Sequence, residues 1–189
     1  FIVKSDANLL QINENPNLNT TPISVRRLFT WSGSTDATRR EYNFLSSPVY
    51  NQNMKEIYGG VASHVPYVTK LNESTNLFVN ATLADYTKQA KGFAVREPKT
   101  SFTGVPTQGI EANEAEYKGV PNNGTISINL DWTSAGRGYN VVGNPYPSNI
   151  DIVKLYANSV TNLNTPEIDA NFRFWDNTVN ATYVQMGGA

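Results

Sequence analysis

The sequence predicts an all-β fold, a β-sandwich or jelly-roll-like arrangement with one or two short helices. Asparagine supplies 24 of the 189 residues, and it favours turns and caps over the interiors of helices and strands. Thirteen glycines and ten prolines add further turn-forming positions. Apolar residues come in short runs, and several alternate with polar ones, as Ile126, Ile128 and Leu130 do. This alternation has the period of a half-buried strand.

Short apolar or alternating runs place the strands along the chain, and prolines such as Pro98 and Pro145 close some of them because proline has no N–H to donate. The acidic segment Glu111–Glu116 is predicted to be a solvated loop. The predicted strands are Phe1–Val3, Leu9–Ile12, Ile23–Phe29, Tyr42–Val49, Val65–Val68, Leu77–Val79, Gly92–Glu97, Thr125–Leu130, Tyr139–Val142 and Phe172–Trp175.

Two segments favour short helices. Asn149–Ala157 follows Ser148, which suits a helix cap, and Asp151 places a negative charge in the first turn. Ala81–Ala90 is the second segment, and it ends just before Gly92. Asn51–Tyr58 also has room for one or two helical turns, because Gly59 and Gly60 would end them.

A near-repeat suggests how the module is organised. Tyr42-Asn43 and Tyr139-Asn140 each begin a run of two apolar residues, two small or polar residues and a proline, and the prolines are 97 residues apart. We therefore consider two related halves, about 1–98 and 99–189, within one β-rich module that spans 1–189. Because the chain starts at Phe1 in a strand-like run, we expect it to be a fragment of a longer chain.

Composition excludes several classes of protein. The net charge is −1 and basic residues are scattered, which argues against a nucleic-acid-binding surface. No apolar run approaches the length of a membrane-spanning helix. The chain has no cysteine, so disulfides and thiolate metal sites are excluded.

The run from Gly138 to Asp151, GYNVVGNPYPSNID, carries a family resemblance. Three other segments match in the same order, at Tyr42–Val49, Gly92–Val95 and Phe102–Pro106, and the aromatic pair Phe174-Trp175 follows. Together they resemble a β-rich region of large secreted or cell-surface proteins of the Bacteroidetes, which the type IX secretion system exports.

The resemblance implies a location rather than a reaction. We expect an extracellular or outer-surface module with no catalytic activity, serving as an adhesin, a stalk or a scaffold. Its partners would be other domains of the same precursor, surface glycans or other cell-surface proteins, with no nucleic acid and no transmembrane segment.

Two alternatives stay open. Trp31, Trp132 and Trp175 each stand beside polar residues at a strand end, as sugar-stacking rings of a carbohydrate-binding accessory module would. Core packing is the other interpretation of these rings, and exposure would decide between the two. The third class is a secreted hydrolase with clustered carboxylates, which requires a cleft with two facing acids.

Metal and cofactor chemistry has little support in the sequence. His64 is the single histidine and lies in no catalytic motif, so neither a histidine-rich zinc site nor a recognisable triad is present. We predict no cofactor. Calcium stays an alternative, because Asp36, Asp131 and Asp176 lie in polar loops that offer oxygen ligands.

Overall fold

A computed structural model describes residues 1–13, 15, 19–28, 41–58, 66–96, 114–158, 168–169, 171–176 and 182–186. These ranges contain nine strands and two short helices. In chain order they are β1 (Ile2–Val3), β2 (Ile23–Leu28), β3 (Asn43–Leu45), β4 (Tyr67–Asn72), β5 (Leu77–Asn80), α1 (Leu83–Tyr86), β6 (Phe93–Arg96), β7 (Glu114–Gly119), α2 (Ile152–Asn158), β8 (Phe172–Asp176) and β9 (Thr182–Met186).

The strands form two main sheets and a separate pair. The first sheet has the order β1-β2-β7, with β1 parallel and β7 antiparallel to β2. The second sheet is antiparallel throughout and has the order β3-β6-β4-β5. Strands β8 and β9 pair only with each other among the described residues. The all-β prediction with two short helices is confirmed.

The two main sheets share one hydrophobic core. Val25 of β2 and its register partner Tyr117 of β7 are fully buried on one side, and Phe93 and Val95 of β6 come from the other sheet. Residues alternate between faces along a strand, so Arg26 and Glu116 lie on the opposite face of the first sheet. Met54, from the turns between β3 and β4, is also fully buried in this core.

Three of the predicted strands form no ladder of backbone hydrogen bonds with a neighbouring strand. Leu9–Ile12 and Thr125–Leu130 lie outside the strands, and Val142 makes only one isolated bridge, to Lys91. Ile126 and Ile128 are half-buried, as their alternation predicts. The prediction of strands was wrong here because periodicity reports burial on one side, whereas a strand also needs a neighbouring backbone to pair with.

The acidic segment was also predicted wrongly, for an electrostatic reason. Glu114 and Glu116 are buried in β7 rather than solvated in a loop, while residues 111–113 lie outside the described part. Arg26 compensates both carboxylates, with Nη1 at 3.9 Å from Glu114 and Nε at 3.4 Å from Glu116. The segment Asn51–Tyr58 forms turns rather than a helix.

The two Tyr-Asn…Pro runs meet in space. Asn122 is buried between them, and its Nδ2 donates to the carbonyl oxygens of Ser47 at 3.3 Å and Pro145 at 2.8 Å. Ser46 and Gly143 lie in direct contact, since a Cβ added to Gly143 would be 2.0 Å from Ser46 Cβ. The first run contains strand β3, whereas the second makes only the bridge at Val142. The division into related halves stays a prediction.

Candidate ligand-binding site

An exposed tryptophan lies at the edge of a polar cleft. Trp132 is 74% exposed, and it borders a cleft of about 430 Å³ beside the turn that follows β4. We call this feature the Trp132 cleft. Its polar lining comprises Lys70, Asn72, Glu73, Ser74, Asp85, Lys88, Lys91, Asp131 and Thr133.

Glu73 holds the loop that carries Trp132. Its carboxylate accepts hydrogen bonds from the Thr133 amide at 3.0 Å, the Thr133 hydroxyl at 2.8 Å and the Gly138 amide at 2.7 Å. Burial alone would raise the pKa of Glu73, but the hydrogen bonds from Thr133 and Gly138 outweigh it, and the pKa is lowered. Glu73 therefore holds the loop as an anion at neutral pH.

Two glycines let this loop approach its supports closely. A Cβ on Gly136 would lie 1.7 Å from the Glu73 carbonyl oxygen. Gly138 has a φ of +75° and packs under the indole, where a Cβ would lie 2.7 Å from Trp132 Cδ1. Asn140 closes the loop by exchanging hydrogen bonds with the backbone of Asp131. The ring is thus held on a preformed turn.

The charged groups of the cleft differ in their availability. Asp85 lies 2.8 Å from Lys70 and accepts hydrogen bonds from the amide and hydroxyl of Thr82. Burial opposes its ionisation, but the bonds from Lys70 and Thr82 prevail and hold the pKa of Asp85 well below its usual range. Lys91 and Asp131 form no ion pair with another described residue. They are the charges of the cleft that are free to meet a ligand.

The structure describes two of the three candidate tryptophans. Trp132 lines the cleft, whereas Trp175 of β8 is half-buried and stacks on Phe44, with ring centroids 5.8 Å apart and planes 13° apart. Phe44 also packs against Phe78 of β5 at 5.7 Å. Trp31 lies outside the described residues. Of the two described rings, Trp132 is the one available to a ligand, and Trp175 packs β8 against the second sheet.

Two of the predicted metal and catalytic candidates lie within the described residues. Asp36 and His64 lie outside the described residues, Asp131 lines the cleft, and Asp176 ends β8. Within the described ranges, no group of three or more histidine, cysteine, aspartate or glutamate residues could hold a metal ion. Sequence reasoning missed Glu73, because its only local signal is a polar turn between two strands.

The chain is an all-β module with a polar cleft at its surface. A family model, that of the domain of unknown function DUF8693, matches residues 1–186, and the chain belongs to that family. Among curated proteins and solved structures, no match was found. Neither α1 nor α2, the two helices of the described ranges, is long and apolar enough to cross a bilayer.

Proposed function

We propose that this chain is a non-catalytic, extracellular module of a larger secreted or surface-anchored bacterial protein, and that it binds carbohydrate in the Trp132 cleft. The extracellular location is supported by the resemblance carried by residues 138–151. The binding role is supported by one observation above all: a tryptophan 74% exposed is held in place over a polar cleft.

Carbohydrate fits the chemistry of this cleft. The apolar C–H face of a sugar ring can pack on an indole, whose large apolar surface is otherwise left in water. Asp131 accepts hydrogen bonds from sugar hydroxyls, and Lys91 and Asn72 donate to them. Because Glu73 and Gly138 already fix the ring, little conformational entropy is lost when a sugar binds. One exposed indole at the cleft favours a terminal sugar or a short glycan over a long flat polysaccharide.

Binding is preferred over hydrolysis because two of the three acids that line the cleft are committed to the protein itself. A glycosidase needs one carboxyl group that stays protonated to act as the general acid. Glu73 and Asp85 instead have lowered pKa values, and both are occupied by hydrogen bonds from the protein itself. Their arrangement supports the loop and the helix rather than a reaction.

The first test is a glycan array followed by calorimetry on the strongest ligand. Trp132→Ala is expected to weaken binding at least tenfold, because the variant removes the stacking surface and leaves the core unchanged. Tyr50→Ala is the matched control, since Tyr50 is 63% exposed and does not line the cleft. Equal binding by wild type and Trp132→Ala would contradict the proposal, as would an array without any bound glycan.

A second test concerns the support of the ring. Glu73→Gln preserves the shape of the side chain but turns an NH₂ group toward donors that now bond to a carboxylate. We expect faster amide hydrogen exchange at Thr133 and Gly138 and weaker glycan binding, with an unchanged core. Glu56→Gln is the control, because Glu56 is an exposed acid outside the cleft. Unchanged exchange at both amides would show that Glu73 does not hold the loop.

A further inference from the structure

A second cleft lies where the two Tyr-Asn…Pro runs meet. It has a volume of about 220 Å³, and β2, β3, β7 and the run of residues 141–149 contribute its walls. Arg27 and Tyr117 line it from the first sheet, and Ser46 and Gly143 line it from the two runs. We call this feature the Arg27 cleft.

The cation in this cleft has no acidic partner. Arg27 lies on the same face of β2 as buried Val25, and its Nη1 donates to the carbonyl oxygens of Arg26 at 2.8 Å and Lys4 at 3.4 Å. Among the described residues no carboxylate lies within ion-pair distance of it. Burial lowers the pKa of Arg27, although the guanidinium stays charged at neutral pH. A partly buried charge that is compensated by carbonyl oxygens alone, without a carboxylate, is unfavourable.

Two residues that line the cleft carry buried hydroxyl groups without hydrogen-bond partners. Tyr117 is fully buried, and its phenol oxygen makes no hydrogen bond within the described structure. The same holds for Ser46 Oγ. Buried polar groups are almost always hydrogen-bonded. Two buried hydroxyl groups without partners, on residues of one cleft, therefore require an explanation. Burial raises the pKa of Tyr117 and Arg27 opposes the rise, so the hydroxyl stays protonated and can donate.

We propose that the Arg27 cleft binds a small organic carboxylate, at a site separate from the Trp132 cleft. A guanidinium suits a carboxylate because it can offer two parallel N–H donors. The hydroxyls of Tyr117 and Ser46 are buried and supply two more donors once these side chains turn toward the ligand. The described lining thus offers a cation and neutral donors but no acid. The cavity is below the roughly 300–1,000 Å³ of sites for drug-sized ligands, which limits the ligand to about the size of a single sugar acid or less.

The test measures binding of acetate, glucuronate, glucose and inorganic phosphate to the intact chain, by calorimetry and by the shift in melting temperature. We expect at least one of the two carboxylates to bind and to raise the melting temperature, with no binding of glucose. Arg27→Gln should weaken that binding at least tenfold. Trp132→Ala should leave it unchanged, so failure here and failure of the glycan proposal are distinguishable.

Tyr117→Phe separates a ligand site from a packing role. The variant removes only the orphaned hydroxyl, so the empty protein should be as stable as wild type or more stable, while carboxylate binding falls several-fold. A destabilised empty variant would show that the hydroxyl has a structural partner, which overturns the proposal. So would the absence of carboxylate binding at millimolar concentration, binding unaffected by both variants, or phosphate binding as tight as that of the carboxylates.

Discussion

Replacing Arg26 with methionine is expected to destabilise the protein by about 3–5 kcal/mol at neutral pH, the cost of removing one partner from a buried ion pair. Arg26 is the register partner of Glu116 and also approaches Glu114, and all three residues are buried. Methionine preserves much of the volume but leaves two buried carboxylates without this cation. For a chain of this length, the loss corresponds to a fall in melting temperature of roughly 6–20 °C.

Lys118→Met is the matched control for Arg26→Met, because Lys118 pairs with the same carboxylate, that of Glu116. Lys118 Nζ lies 2.9 Å from Glu116, closer than Arg26, but its side chain is 67% exposed. Exposed ion pairs contribute at most about 1 kcal/mol, so this variant should be nearly neutral in chemical denaturation. Equal losses for the two variants would mean that burial does not govern the contribution of Arg26.

The effect of Arg26→Met should depend on pH in a defined direction. Burial would raise the pKa of Glu116, but hydrogen bonds from Ser24 and Lys118 and the charges of Lys118 and Arg26 hold it below its ordinary value of 4.5. Such a group adds stability above its unfolded pKa, and this stability is lost as the pH falls through the folded value. The difference between wild type and variant should therefore shrink below pH 4.5, and a difference independent of pH would refute the ionic explanation.

Gly143→Ala is expected to cost about 3 kcal/mol, at the upper end of the usual cost of overpacking. Its new Cβ would lie 2.0 Å from Ser46 Cβ, so the two Tyr-Asn…Pro runs would have to move apart. That movement would strain the hydrogen bonds from Asn122 to Ser47 and Pro145. Denaturant unfolding measures the loss.

A compensating variant tests the cause. In the double variant Ser46→Gly with Gly143→Ala, the nearest atom left at this contact is Ser46 Cα at 3.3 Å. We expect the double variant to be more stable than Gly143→Ala alone, although glycine adds chain entropy to the unfolded state. If Ser46→Gly only adds its own loss, the contact between these two residues is not the source of the destabilisation.

Local signals predicted much of the fold. The runs at Ile23, Leu77, Gly92 and Phe172 became strands, because alternation depends on neighbouring residues alone. The helix predicted from Asn149 begins only at Ile152, and Asp151 rather than Ser148 caps it, since Asp151 Oδ1 accepts a hydrogen bond from the Lys154 amide at 3.1 Å. The acidic segment of β7 was predicted wrongly, since nothing local shows that Arg26, 90 residues away from Glu116, lies opposite it. Thr125–Leu130 shows the converse case, in which a strand-like pattern lacks a paired neighbour.

By itself the amino-acid sequence determined an all-β chain rich in turns, with three candidate tryptophans and no thiol chemistry, because these properties follow from composition and short-range period. Only the tertiary structure decided how far each of the two described tryptophans meets solvent. Trp132 is exposed because Glu73, 60 residues before Thr133, holds the neighbouring loop, whereas Trp175 is covered by Phe44. The Arg27 cleft likewise exists only where two distant runs meet, and contacts of that kind leave no trace in local sequence.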